Sequence, residues 1–149
     1  MTILPLARLV QLHKAIGHPV RLRLLAMLHG GPLCVCQMTV VVKLAASTVS
    51  EHLSELKKAG LIAERKDGRW VEYRLSSDAV DMGILEPAWP ALQGDRDVRA
   101  DALLVKALRR VPVEELCSVN LDLGRLSRPG LASAASKAEG IRDSDGALR

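Results

Sequence analysis

Ala45-Ala46-Ser47-Thr48-Val49-Ser50-Glu51-His52-Leu53-Ser54-Glu55-Leu56-Lys57-Lys58-Ala59-Gly60-Leu61-Ile62-Ala63-Glu64-Arg65-Lys66-Asp67-Gly68-Arg69-Trp70-Val71-Glu72-Tyr73-Arg74-Leu75 is the stretch on which the fold turns. Val49, Leu53 and Leu56 share one helical face, Glu51 and Glu55 stay on the outer side, Thr48 and Glu51 have capping-box spacing, and Gly60 is a natural terminator. This predicts a helix with a hydroxyl-rich beginning. Residues 61–66 and 69–75 then flank Asp67-Gly68, a strong short-range hairpin signal. Strand alternation sends Val71, Tyr73 and Leu75 one way and Trp70, Glu72 and Arg74 the other.

Upstream, Leu6, Leu9, Val10, His13 and Ile16 repeat at helical steps and predict an amphipathic helix ending near Gly17. Pro19 starts a second helix with Leu22, Leu25 and Leu28 as its stripe and Arg21 and Arg23 off it; Gly30, Gly31 and Pro32 stop it. A third, shorter helix is expected from about Cys34 to Leu44. Downstream, Ser77-Asp78 is a start signal, 87–94 an interruption, and about 95–110 a helix carrying Leu103, Leu104, Ala107 and Leu108, closed by Pro112. Residues 127–149 hold four Ser, three Gly and five Ala but only Leu131, Ile141 and Leu148 as large apolar groups, which predicts a disordered tail. The expected partition is 1–80 as a core, 81–126 as a helical C-terminal region and 127–149 as that tail.

Composition narrows the class. The 149 residues are 48% hydrophobic, enough for one domain with a buried core and unlike an acidic disordered chain. The formal charge of +4 is uneven: residues 1–75 carry 11 basic against 5 acidic groups, residues 76–149 carry 10 against 12. A polyanion would therefore meet the first half. Residues 24–42 lack a formal charge, but Gly30, Gly31 and Pro32 break them, so no membrane span is expected. No signal peptide is evident at residues 1–17, and an odd cysteine count of three argues against a disulfide scaffold. A cytoplasmic protein is the expectation.

Helix, helix, short helix, turn, helix and hairpin is the order of a winged helix-turn-helix: mainly α with a β-hairpin wing. Ser47, Thr48, Ser50 and His52 at the start of the second helix of the motif suit phosphates or base edges, and that helix's first amides favour a phosphate. Arg65, Lys66 and Arg69 surround the hairpin turn and would supply salt-sensitive affinity for double-stranded DNA.

The residues His18-Pro19-Val20-Arg21-Leu22-Arg23-Leu24-Leu25, Leu33-Cys34-Val35-Cys36, Thr48-Val49-Ser50-Glu51-His52-Leu53, Ala59-Gly60-Leu61 and the wing 65–75 together resemble the ArsR/SmtB metalloregulatory repressors over about residues 6–80. The resemblance implies a homodimer that binds operator DNA and leaves it when a metal or metalloid binds. Leu33-Cys34-Val35-Cys36 looks like the inducer site of the arsenic-responsive branch, which implies As(III) or Sb(III) as inducer and no organic cofactor. The region of Leu103 to Leu108, with the first helix, is the expected dimer seam. No histidine follows His52, so the family's zinc-type site on the C-terminal helix is absent, and Asp95, Asp97 and Asp101 read as helix-start and surface charges. His29 and His52 read as exposed or core histidines rather than metal ligands.

Thiolates select soft ions, and three sulfurs without a fourth ligand suit a pyramidal metalloid better than tetrahedral zinc. Cys34 and Cys36 are the pair expected to ligate. In one helix they would sit about 200° apart, so clamping an ion would distort its first turn. A helix N-terminus would also lower their thiol pKa. With Gln37, Met38 and Thr39 following the pair, the third thiol is Cys117, either a ligand from the same or the other subunit or a buried apolar filler. Other readings keep the fold and make the cysteines a redox or persulfide switch or a cadmium or lead site. A thiol enzyme is disfavoured because the chain lacks a parallel-sheet pattern, a dinucleotide loop and a Cys-x-x-Cys pair, and the basic wing argues against a metal-buffering module.

Overall fold

The computed structural model describes residues 4–78 and 83–144. The elements are α1 (Leu6–Ile16), α2 (Pro19–His29), β1 (Leu33–Cys34), α3 (Val35–Val42), α4 (Ala46–Lys58), β2 (Ile62–Asp67), β3 (Trp70–Leu75), α5 (Trp89–Gly94), α6 (Arg96–Leu108), α7 (Val113–Ser118) and α8 (Pro129–Asp143), with 3-10 turns at Glu86–Ala88 and Leu123–Arg125. This is a winged helix-turn-helix followed by a helical region. The helix start expected at Ser77-Asp78 runs into residues 79–82, which lie outside the described residues, as does Leu148.

The deciding stretch forms the helix and the hairpin that its pattern predicts. Val49, Leu53 and Leu56 of α4 are fully buried against a core that includes Leu24, Leu25, Met38, Val41 and Leu61. The hairpin pairs Ile62 with Leu75 through Asp67 with Trp70, and Gly68 turns it at φ +60°. The sheet has a third strand that periodicity could not reveal: β1 pairs antiparallel with β3, Leu33 opposite Tyr73 and Cys34 opposite Glu72. The third helix therefore begins at Val35, and Lys43 ends it in the left-handed region at φ 55°. The Thr48/Glu51 capping box does not form, because α4 starts at Ala46 with Ala45 as its N-cap and both residues fall inside the helix.

Two expectations about the C-terminal half are corrected. Asp95 does cap α6, accepting from the Val98 N–H at 3.0 Å, but Asp101 is no surface charge. It is 1% exposed, accepts from the Arg23 guanidinium at 2.7 and 2.8 Å and from Arg142 at 2.7 Å, and so joins α2, α6 and α8. Within the tail expected at 127–149, α8 occupies Pro129–Asp143 with Leu131 and Ala138 buried, and residues 145–149 lie outside the described residues. Small side chains let that helix lie close against α6. The buried anchor from Arg142 to Asp101 supplies order that few large apolar groups could not, while Lys43 to Glu139 at 2.8 Å is an exposed pair that adds little.

Leu104, Val105 and Leu108 of α6 are buried within the single chain, whereas Leu6, Leu9 and Val10 of α1 are exposed. Among the described residues no helix is long and apolar enough to cross a membrane. The uncharged run 24–42 is divided among α2, β1 and α3.

Candidate nucleic-acid interface and thiol cluster

The hydroxyl-rich start of α4 and the wing tip lie where the pattern puts them. Ser47, Ser50, Arg65, Lys66 and Arg69 are exposed, and Thr48 and His52 are half-buried. No side chain caps α4, so the amides of its first turn remain donors for an anion. Arg65 reaches Glu72 across the hairpin at 3.8 Å, an exposed pair that leaves the cation open to competition. His52 packs against His18 with ring centroids 4.4 Å apart. Burial first, then the neighbouring His18 and Arg21, push its pKa below the ordinary histidine value, so it meets a partner as a neutral imidazole near neutral pH. His29 stacks on Trp89 at 4.1 Å, a packing role.

The three cysteines converge only in part. Cys36 lies in the first turn of α3, and its Sγ is 3.3 Å from Sγ of Cys117 on α7 in the same chain. Cys34 is not on that helix, which corrects the expectation of two thiols straining one helical turn. It caps α3 in an extended conformation (φ −78°, ψ 153°). Its backbone N–H donates to Gln37 Oε1 at 2.9 Å, while its side chain accepts from the Gln37 N–H. Cys34 is held on its other side by the ladder to Glu72, and Arg109 pins the preceding loop by donating to the carbonyls of Pro32 at 2.7 Å and Gly31 at 2.9 Å. Among the described residues, no group of three or more His, Cys, Asp or Glu is gathered to hold a metal ion.

For Cys34 the expected lowering of thiol pKa is reversed. Burial raises Cys34, and the carboxylates of Glu72 and Asp67, Cys117 and Glu114 add to it. Cys117 is pushed up to about 11 by burial, then by its hydrogen bond to Cys36 and by Glu114. Burial first, and acidic neighbours on the wing and α7 after it, outweigh one helix N-terminus, and Cys34 and Cys117 are held protonated at neutral pH.

Sequence reasoning missed four residues around this cluster. Gln37 stands at capping-box distance from Cys34, a signal visible once cysteine is accepted as a cap. Arg109 carried no local signal, and neither did Trp70 and Glu114 as a pair. Trp70 opens β3 at the wing and its indole Nε1 donates to Oε1 of Glu114 on α7 at 3.2 Å.

The chain is similar to known proteins. The family model described as "Bacterial regulatory protein, arsR family" matches residues 18–64. The chain is 34% identical over 110 residues to the arsenical resistance operon repressor of Escherichia coli (strain K12), covering 73% of this chain and 88% of that protein. It is 32% identical over 105 residues to the arsenic resistance transcriptional regulator ArsR1 of Pseudomonas putida, covering 68% and 77%. Among solved structures, HlyU from Vibrio cholerae N16961 superposes with a TM-score of 0.50 at 33% identity, covering 56% of this chain and 92% of that one.

Proposed function

Since this chain belongs to the ArsR family of bacterial regulatory proteins, we propose that it is a homodimeric repressor that holds operator DNA through α4 and the wing and leaves it when As(III) or Sb(III) binds Cys36 and Cys117, with Cys34 as third thiol. The observation that carries this reading is the 3.3 Å approach of Cys36 to Cys117 on the first helix of the DNA-binding motif. Two thiolates on a tetrahedral ion at about 2.3 Å lie about 3.8 Å apart. The shorter spacing favours the narrower angle of a pyramidal three-coordinate centre.

Protonated thiols suit arsenous acid. Each S–H that forms an As–S bond gives its proton to a departing hydroxide as water, whereas a bare divalent cation would have to expel protons from thiols that burial holds neutral. Cys34 lies outside α3, so recruiting it requires its cap to Gln37 to open. That opening unwinds the start of α3, whose other end leads through Lys43 into α4, and ligand binding and DNA docking thus compete for one geometry.

The test uses the tightest duplex selected from a random-sequence library by the wild-type protein. Cys34→Ser, Cys36→Ser and Cys117→Ser should bind that duplex as wild type does and resist release by arsenite. Normal release from all three variants puts the sensing site elsewhere.

The same contact favours a second reading, a redox switch. Cys36 and Cys117 would lose two electrons and two protons to a peroxide, forming an S–S bond as the peroxide is reduced to water. Intact-mass measurement after mild peroxide and after arsenite separates the two, since only arsenite leaves an adduct.

A further inference from the structure

The thiol cluster is joined to the wing as well as to α4. Glu114 and Cys117 lie three residues apart on α7, one helical turn, and so share a face. From that face Cys117 meets Cys36 at 3.3 Å and Glu114 accepts from the Trp70 indole at 3.2 Å. Trp70 pairs with Asp67 across the hairpin end and directly follows Arg69, one of the three cations at the wing tip. A second tie runs through backbone: Cys34 is paired with Glu72 of β3, the strand that Trp70 begins. The wing's central strand is therefore gripped at two points by residues that carry, or adjoin, the thiols. The Glu114 carboxylate is near enough to both to raise Cys34 and Cys117.

We propose that Glu114 is a positioning residue that ties the wing to α7 through the Trp70 indole, so that engagement of Cys117 by a thiophilic ligand displaces the wing from DNA. This rests on the thiol-site reading above. Binding a ligand replaces the Cys36–Cys117 hydrogen bond and reorients the Cys117 side chain, and α7, under two turns long, rotates about its buried Leu116. Glu114 moves with it, and the indole bond either drags the wing tip or breaks. Both outcomes spoil the register of Arg65, Lys66 and Arg69 on the phosphates.

The experiment measures coupling, the ratio of duplex affinities without and with saturating arsenite, in the full chain, alongside a direct calorimetric titration of arsenite. Trp70→Phe keeps the ring but loses the N–H, Glu114→Ala loses the acceptor, and Glu114→Gln keeps an acceptor oxygen and serves as the rescue. Trp70→Phe and Glu114→Ala should bind arsenite as wild type does and the duplex within about threefold, while the coupling ratio falls by about tenfold, a change of about 1.4 kcal/mol. Glu114→Gln should retain wild-type coupling. In a Trp89→Phe background, Trp70 is the remaining tryptophan, and its emission should shift on adding arsenite and cease to shift in Glu114→Ala.

Unchanged coupling in both Glu114→Ala and Trp70→Phe overturns the proposal while leaving the thiol site standing. Weakened arsenite binding in Glu114→Ala also overturns it, because Glu114 would then belong to the ligand set. Absence of cysteine-dependent arsenite binding in the wild-type protein removes the thiol-site reading and this one with it, and the calorimetric trace tells that case from the first.

Discussion

At the scale of single residues, Cys117 is the group whose environment most departs from its ordinary one. A pKa of about 11 against an ordinary 9.0 leaves about a hundredfold less thiolate wherever the pH lies below both. Iodoacetamide should therefore alkylate Cys117 at pH 8 about a hundredfold more slowly than an unburied thiol, as followed by peptide mass spectrometry. Cys36→Ala removes one of the raising influences and should speed that reaction; equal rates in the two proteins would deny the Cys36 contact. The linkage has a definite sign. A thiol kept neutral by the fold contributes stability that is fully present below its ordinary pKa of 9.0 and is lost as pH rises through about 11. The three cysteines were legible as chemistry from residue type alone. That Cys36 and Cys117 meet within one chain was only one of the alternatives left open, because 81 positions separate them and no local pattern encodes such a contact.

At the scale of elements, legibility follows how each element is stabilised. The wing and α4 announce themselves because alternation, a turn dipeptide and a buried stripe all point the same way. β1 is two residues long, and α8 is held by a buried polar anchor and small side chains, so neither carries a periodic signal. Asp101 is the pivot of that hidden element. Its side chain is 2% exposed while those of Arg23 and Arg142 keep 21% and 20%, so removing it leaves two guanidinium groups facing each other with only partial access to water. Asp101→Ala should lower stability by about 3–5 kcal/mol in urea denaturation. Arg142→Ala should cost less, since Arg23 still donates to both carboxylate oxygens. A loss below about 1 kcal/mol for Asp101→Ala, the level of exposed pairs, would show that water already screens the triad.

At the scale of the whole molecule, the basic half holds the DNA-binding surface, and the mildly acidic half spends its apolar face on its own chain. The seam expected along Leu103 to Leu108 is largely taken, because Leu104, Val105 and Leu108 are buried and α8 lies over α6. Among the described residues the exposed large apolar side chains gather on α1, where Leu6 is 78% exposed, Val10 44% and Leu9 38%, with Leu44 apart at 37%. Leu6 and Val10 stand four residues apart on one face and Leu9 beside them. That stripe is short enough for one chain to tolerate and well placed to meet its twin about a two-fold axis. Two recognition helices carried by such a dimer reach half-sites one or more whole helical turns apart, and the second half-site binds at a high effective concentration. The double variant Leu6→Asp/Val10→Asp should keep its helical circular dichroism, sediment as a monomer, and lose about 10²–10⁴-fold in affinity for a two-half-site duplex, with little change on a single half-site. A dimeric variant with unaltered affinity would move the seam away from α1, to the groove between α2 and α6 where Ala26, Met27, Val98 and Ala102 offer the next apolar surface.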